Sequence, residues 1–90
     1  MPETVLFESE QVQQRADIAA YLRSVADSLE KGDSITLQAG ENSTTITPPE
    51  QLTFEVKVER EGPEDSPGEL SVEFELEWDE DGGGGELRIE

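Results

Sequence analysis

Leu52, Phe54, Val56 and Val58 alternate with polar residues, and so do Leu70, Val72, Phe74, Leu76 and Trp78. A period of two places every second side chain on the same side of a strand, so each run predicts a half-buried strand with one oily and one wet face. Gly62 to Gly68 connects them. An antiparallel hairpin centred on Asp65 pairs Val58 with Val72, Val56 with Phe74, Phe54 with Leu76 and Leu52 with Trp78, while Lys57 meets Glu73 on the opposite side. The same register sets Glu55 against Glu75. A like-charge pair directly across a ladder costs stability in dilute buffer and less when salt screens it.

The first half of the chain follows a different period. Ile18, Leu22, Val25 and Leu29 recur at spacings of four, three and four, which predicts an amphipathic helix over about residues 14–31 with Ala19 and Ala26 beside the apolar face. Asp17 lies near its positive end and Lys31 near its negative end, and Gly32 can take the left-handed conformation that closes a helix. No strong N-cap residue precedes it. Ile35, Leu37 and Ala39 alternate with Thr36 and Gln38, and the pattern resumes over residues 44–47 until Pro48-Pro49 stops it. A turn centred on Glu41 and Asn42 would set Leu37 opposite Ile46. Val5-Leu6-Phe7 is a short apolar run that suggests a further strand over Thr4–Glu8.

Together these elements predict an α+β fold: one amphipathic helix packed on an antiparallel sheet of about four to five strands, made of two β-hairpins with the N-terminal strand as a fifth. After Trp78 the pattern gives way to Asp79-Glu80-Asp81 and Gly82 to Gly85. The expected division is therefore a domain over 1–78 and an acidic, Gly-rich flexible tail over 79–90, in which Leu87 and Ile89 are too few to offset much ordering entropy.

Composition decides less than pattern. Leu, Ile, Val and Phe make up 21 of the 90 residues, close to the level of roughly one fifth below which highly charged chains are usually disordered. Folding is inferred from the concentration of those residues into periodic segments. The 23 acidic residues against 6 basic ones give a formal charge of −17. That charge repels a phosphate backbone and an anionic membrane surface, and disfavours direct nucleic-acid binding. It also destabilises the compact state, a cost largely screened at about 1 M salt, where the Debye length falls to roughly 3 Å. A salt-rich cytoplasm accounts for the balance. No stretch approaches the roughly 20 apolar residues of a membrane span, and the first residues lack the pattern of an export signal.

The residue inventory argues against an enzyme. Histidine and cysteine are absent, which removes Ser-His-Asp and Cys-His catalysis, disulfides, and the usual zinc and iron–sulfur ligands. No cofactor is expected. Lys31 and Lys57, the two lysines, fall at a helix end and on the wet strand face, where nothing would activate them. Glu73, Glu75 and Glu77 project from one strand face, but a catalytic carboxylate pair needs a cleft that splits its pKa values, and a solvated face is the simpler reading. Asp79-Glu80-Asp81-Gly82 lacks the later ligands of a calcium loop, so weak cation binding is the most it suggests. Asn42-Ser43-Thr44 matches a glycosylation acceptor, yet turn chemistry explains Asn42 better.

The order of Leu6-Phe7-Glu8-Ser9-Glu10, Ile18-Ala19-Ala20-Tyr21-Leu22-Arg23, the alternation from Phe54 to Glu59, and Leu70 to Trp78 closing on Leu76-Glu77-Trp78 resembles the amphi-Trp domain proteins, small proteins common among halophilic archaea. The resemblance spans Val5 to Trp78 and implies a small domain of unassigned role with no catalytic residues to carry over. Chemistry and resemblance lead to one expectation: a non-catalytic, salt-adapted interaction module, monomeric or weakly dimeric, with an unidentified protein partner. Its candidate surface is Glu55, Lys57, Glu59, Glu73, Glu75, Glu77 and Trp78. The alternatives are an acidic mimic of nucleic acid that occupies a basic protein's site, and a weak cation binder.

Overall fold

A computed structural model describes residues 2–80 as one helix and four strands, an α+β chain whose elements run α1 (Arg15–Lys31), β1 (Ile35–Ala39), β2 (Asn42–Ile46), β3 (Thr53–Glu61) and β4 (Glu69–Glu77). The strands form two separate two-stranded sheets, β1–β2 and β3–β4, where the sequence suggested one. Pro48-Pro49 follows β2 after a single residue, Thr47; lacking N–H donors, the two prolines close that ladder before β3 begins. The described residues divide into two compact units, one up to Glu50 and one from Gln51 onward, described in turn.

In the first unit α1 starts with no side-chain cap. Gln14 is extended, and its carbonyl accepts from the amides of both Asp17 and Ile18 at 3.0 and 3.1 Å. Its other end closes as the sequence anticipated. Gly32 turns left-handed at φ 73°, its amide donates to the Leu29 carbonyl and the Asp33 amide donates to Ser28, the paired bonds of a Schellman motif. Asp17 and Lys31 complement the helix dipole at the two ends.

β1 and β2 are joined by a two-residue turn, Gly40-Glu41, with Gly40 at φ 61°. The observed register pairs Ile35 with Ile46, Leu37 with Thr44 and Ala39 with Asn42. The expected pairing of Leu37 with Ile46 is therefore displaced by two residues. The reason is the turn: a two-residue hairpin favours glycine where φ must be positive, and Gly40 supplies that residue at the first central position. A displacement of two conserves the facing of every side chain. Ile35, 8% exposed, is the buried apolar residue among those described, with Ile46 half-buried across the ladder. On the other face Thr36 and Thr45 share a hydroxyl hydrogen bond of 3.0 Å, and Ser34 and Thr47 one of 2.9 Å just beyond the strand ends.

The strand expected over Thr4–Glu8 is not formed. Val5 and Leu6 are well exposed, and three apolar residues without a neighbouring ladder do not repay the entropy of fixing an extended backbone.

In the second unit β3 and β4 pair over their full nine residues. Phe54 lies opposite Leu76, Val56 opposite Phe74, Val58 opposite Val72, Lys57 opposite Glu73 and Glu55 opposite Glu75, the register read from the alternation. Seven connecting residues, Gly62 to Gly68, match the expected loop. Two glycines make that loop feasible. Gly62 sits at φ 137°, and a Cβ on Gly68 would run into the Glu61 carbonyl. Arg60 ties the loop down, its guanidinium donating to the carbonyls of Gly62, Pro63 and Ser66 at 3.2, 2.8 and 2.7 Å. Asp79 and Glu80 follow β4 outside any strand, and the rest of the expected 79–90 tail, with Leu87 and Ile89, lies outside the described residues.

Candidate functional site

Strand parity builds two faces on the β3–β4 ribbon. One carries Phe54, Val56, Val58, Leu70, Val72, Phe74 and Leu76. All but Leu76 are between 53% and 74% exposed, so nothing described within this unit covers the apolar side of the ribbon. The rings of Phe54 and Phe74, diagonal neighbours across the ladder, lie nearly parallel at 5° with centroids 6.3 Å apart, a spacing at which offset aromatic pairs attract.

The other face gathers Glu55, Glu59, Glu73, Glu75 and Glu77 around Lys57, as the sequence anticipated. Lys57 Nζ lies 3.1 Å from Glu59 Oε1 and 3.9 Å from Glu73 Oε2. The first contact is with its neighbour on the same strand face, the second with its cross-strand partner. The hydrogen bond that Lys57 donates to Glu59, then the charges of Glu59 and Glu73, hold the Lys57 ammonium above its ordinary pKa. Its groups remain about half exposed, so the pair adds little stability and mainly lowers local repulsion. Glu55 and Glu75, in register, have no ion-pair partner among the described residues. Nor do those residues hold a cluster of three or more acidic groups placed to bind a metal ion.

Trp78 belongs to neither face in full. Half-buried just past the end of β4, it lines an open depression of about 380 Å³ with Gln51, Leu52, Thr53, Glu77 and Asp79. The depression brings together Leu52 and Trp78, the pair placed opposite each other by the sequence register. Arg60, in contrast, was not singled out from the sequence. Its even position places it on the apolar side opposite Leu70 at the loop end, where an arginine has reason to lie only if local acceptors await its guanidinium. That parity was the available signal.

No helix among the described residues is long and apolar enough to cross a membrane. The family model of the Amphi-Trp domain matches residues 1–90. No curated protein and no solved structure matches the chain.

Proposed function

The chain belongs to the Amphi-Trp domain family, and from that premise we propose that it is a non-catalytic, salt-adapted protein-interaction module of the cytoplasm. The observation that carries this reading is the open apolar side of the β3–β4 ribbon, from Phe54 to Val58 and from Leu70 to Phe74. A two-stranded hairpin is marginal in water by itself, and a contiguous exposed apolar patch is the usual mark of a surface that another molecule covers. The carboxylates behind it keep the chain soluble and select against acidic partners.

The test is capture from native-salt lysate by the full chain, set beside a Val56→Glu/Val72→Glu variant whose strand content is checked by circular dichroism. The expected result is a partner retained by the wild type and lost by the folded variant. Identical recoveries would overturn the reading. A reproducible turnover abolished by replacing a single strand glutamate, with folding intact, would overturn its non-catalytic part.

The acidic face supports a second reading, mimicry of a nucleic-acid backbone by Glu55, Glu59, Glu73, Glu75 and Glu77. A mimic binds a basic nucleic-acid protein in competition with DNA or RNA, and reversing Glu73, Glu75 and Glu77 to lysine abolishes that competition. A complex indifferent to the reversal sinks it.

A further inference from the structure

We propose that two copies of this chain join along the outer edge of β3, antiparallel about Val56, so that Glu55 of each copy lies opposite Lys57 of the other in a four-stranded sheet. The inference goes beyond the proposed function, because edge pairing does not use the apolar side of the ribbon. β4 is the ladder partner of β3 on one side, and nothing described within this unit pairs with the other. A two-stranded ribbon has two such edges, each a row of amide and carbonyl groups ready to take another strand. Native edges are commonly blunted by proline, by a bulge or by being very short. β3 runs nine residues from Thr53 to Glu61 without a proline, and its ladder with β4 advances residue by residue without a bulge. Whether an edge of this ribbon accepts a second copy is then decided by the charges it brings opposite one another.

A closed pair of identical strands is symmetric about a two-fold axis, so residues equally far from the axis face each other. Keeping the apolar sides of both copies on one side of the sheet requires that axis to pass through a residue and not between two. Around Glu55 or Glu59 the central carboxylate meets its own copy. Around Lys57 the lysine meets itself and Glu55 meets Glu59; around Val58, Glu55 meets Glu61. Around Val56 no like charges meet: Glu55 faces Lys57 on both sides of the axis, Phe54 faces Val58, Val56 faces itself and Glu59 faces Thr53. β4 offers no such register. Its wet side carries Glu69, Ser71, Glu73, Glu75 and Glu77, and a symmetric pairing centred anywhere from Ser71 to Glu75 brings carboxylates together. Like charges directly opposite destabilise a ladder and opposite charges support it, so one edge of the ribbon refuses a second copy and the other accepts it in one register. That register also gives Glu55 a cation. Within its own chain Glu55 faces Glu75 and has no ion pair among the described residues; in the dimer Lys57 of the second copy stands on its other side. Each chain's charge of −17 opposes association over a longer range, which salt screens sooner than adjacent charges across a ladder, so association strengthens from dilute buffer to moderate salt.

Sedimentation velocity of the full chain from micromolar to millimolar concentration, at moderate salt, is expected to show a monomer–dimer equilibrium with nothing larger. Isotope-filtered NOEs between labelled and unlabelled copies are expected to join Phe54 to Val58. Glu55→Lys tests the charge rule without cost to the fold, since it relieves the repulsion from Glu75 within the chain while setting like charges against each other between copies. Dimerisation of this variant is expected to weaken about tenfold or more, while urea melts show no loss of stability. Lys57→Glu is expected to weaken it likewise, and an equimolar mixture of the two variants to restore a dimer, because each charge then meets its opposite. Glu55→Lys leaves every apolar residue in place, so its result stands apart from lysate capture through the apolar side. A chain that stays monomeric at millimolar concentration, that grows into open-ended species, or that dimerises with unchanged affinity as Glu55→Lys overturns the proposal.

Discussion

The two hairpins of this chain solve the same problem, the choice of register, by different means. β1–β2 has five residues a side and three large aliphatic residues, Ile35, Leu37 and Ile46; sliding one strand by two leaves all of them on the same face. Hydrophobic pattern there is degenerate, and a single glycine at φ 61° decides. β3–β4 has nine residues a side, and a slip by two could still set Phe54, Val56 and Val58 opposite Phe74, Val72 and Leu70, but it would take Lys57 from Glu73 to Ser71. The wet face there breaks the tie that the apolar face leaves, and the seven-residue loop accommodates the result. Short ladders are thus specified by their turns and long amphipathic ladders by their faces.

The comparison can be broken most severely at the point where the long hairpin does depend on its loop. Gly68→Ala forces a Cβ into the Glu61 carbonyl, which only a backbone shift relieves. A loss of about 2–3 kcal/mol is expected in urea melts at high salt. A change below about 0.5 kcal/mol would show that the loop relaxes freely and that pattern alone holds β3–β4 together.

Next in size is a transplant of turn chemistry in the short hairpin. Gly40→Gln/Glu41→Asn/Asn42→Gly moves the favoured turn one residue along, to an Asn-Gly centre. The expected outcome is a slip by two, with cross-strand NOEs from Leu37 moving from Thr44 to Ile46, at a stability change of about 1 kcal/mol or less. An unmoved Leu37–Thr44 contact would falsify the claim that the turn sets this register.

Smaller still is the like-charge pair of the long hairpin. Glu75→Gln removes the repulsion with Glu55 and is expected to stabilise by about 0.2–1 kcal/mol in dilute buffer. The gain fades toward zero near 1 M salt, where the Debye length is about 3 Å. A salt-independent gain would attribute the effect to something other than charge. The smallest effect is that of Lys57. Its folded pKa is raised, so its contribution is fully present below the unfolded lysine pKa and is lost as pH rises through the folded value. Melts of Lys57→Met should lack that alkaline dependence. If wild type and variant fall in parallel, the ion pair adds nothing.

What was legible in the sequence follows the same division. The helix, its Gly32 closure and the β3–β4 register rest on repeated local signals that agree, and the wet face with Lys57 opposite Glu73 came with the register. The β1–β2 register rested on a handful of apolar residues that two registers satisfy equally. Thr4–Glu8 has strand-forming residues but no neighbour, and propensity does not substitute for a partner. The Arg60 clamp was hidden because its acceptors are backbone carbonyls of the loop, which carry no residue-type signal. Trp78 shares its parity with Leu76 and Phe74, but lies one residue past the ladder, where a strand rule no longer fixes how far a side chain is covered.

The ribbon's period of two also sets a rule for length variation within relatives of this chain. Deleting one residue from the middle of β4 would exchange the sides of everything beyond the deletion, carrying Trp78 to the carboxylate side and Glu77 to the oily one. Removing two restores every assignment at the cost of a shorter ladder. Insertions and deletions inside these strands should therefore survive in even numbers, whereas the segment between Gly62 and Gly68 is bound by its end glycines and by the reach of one arginine, and owes nothing to parity.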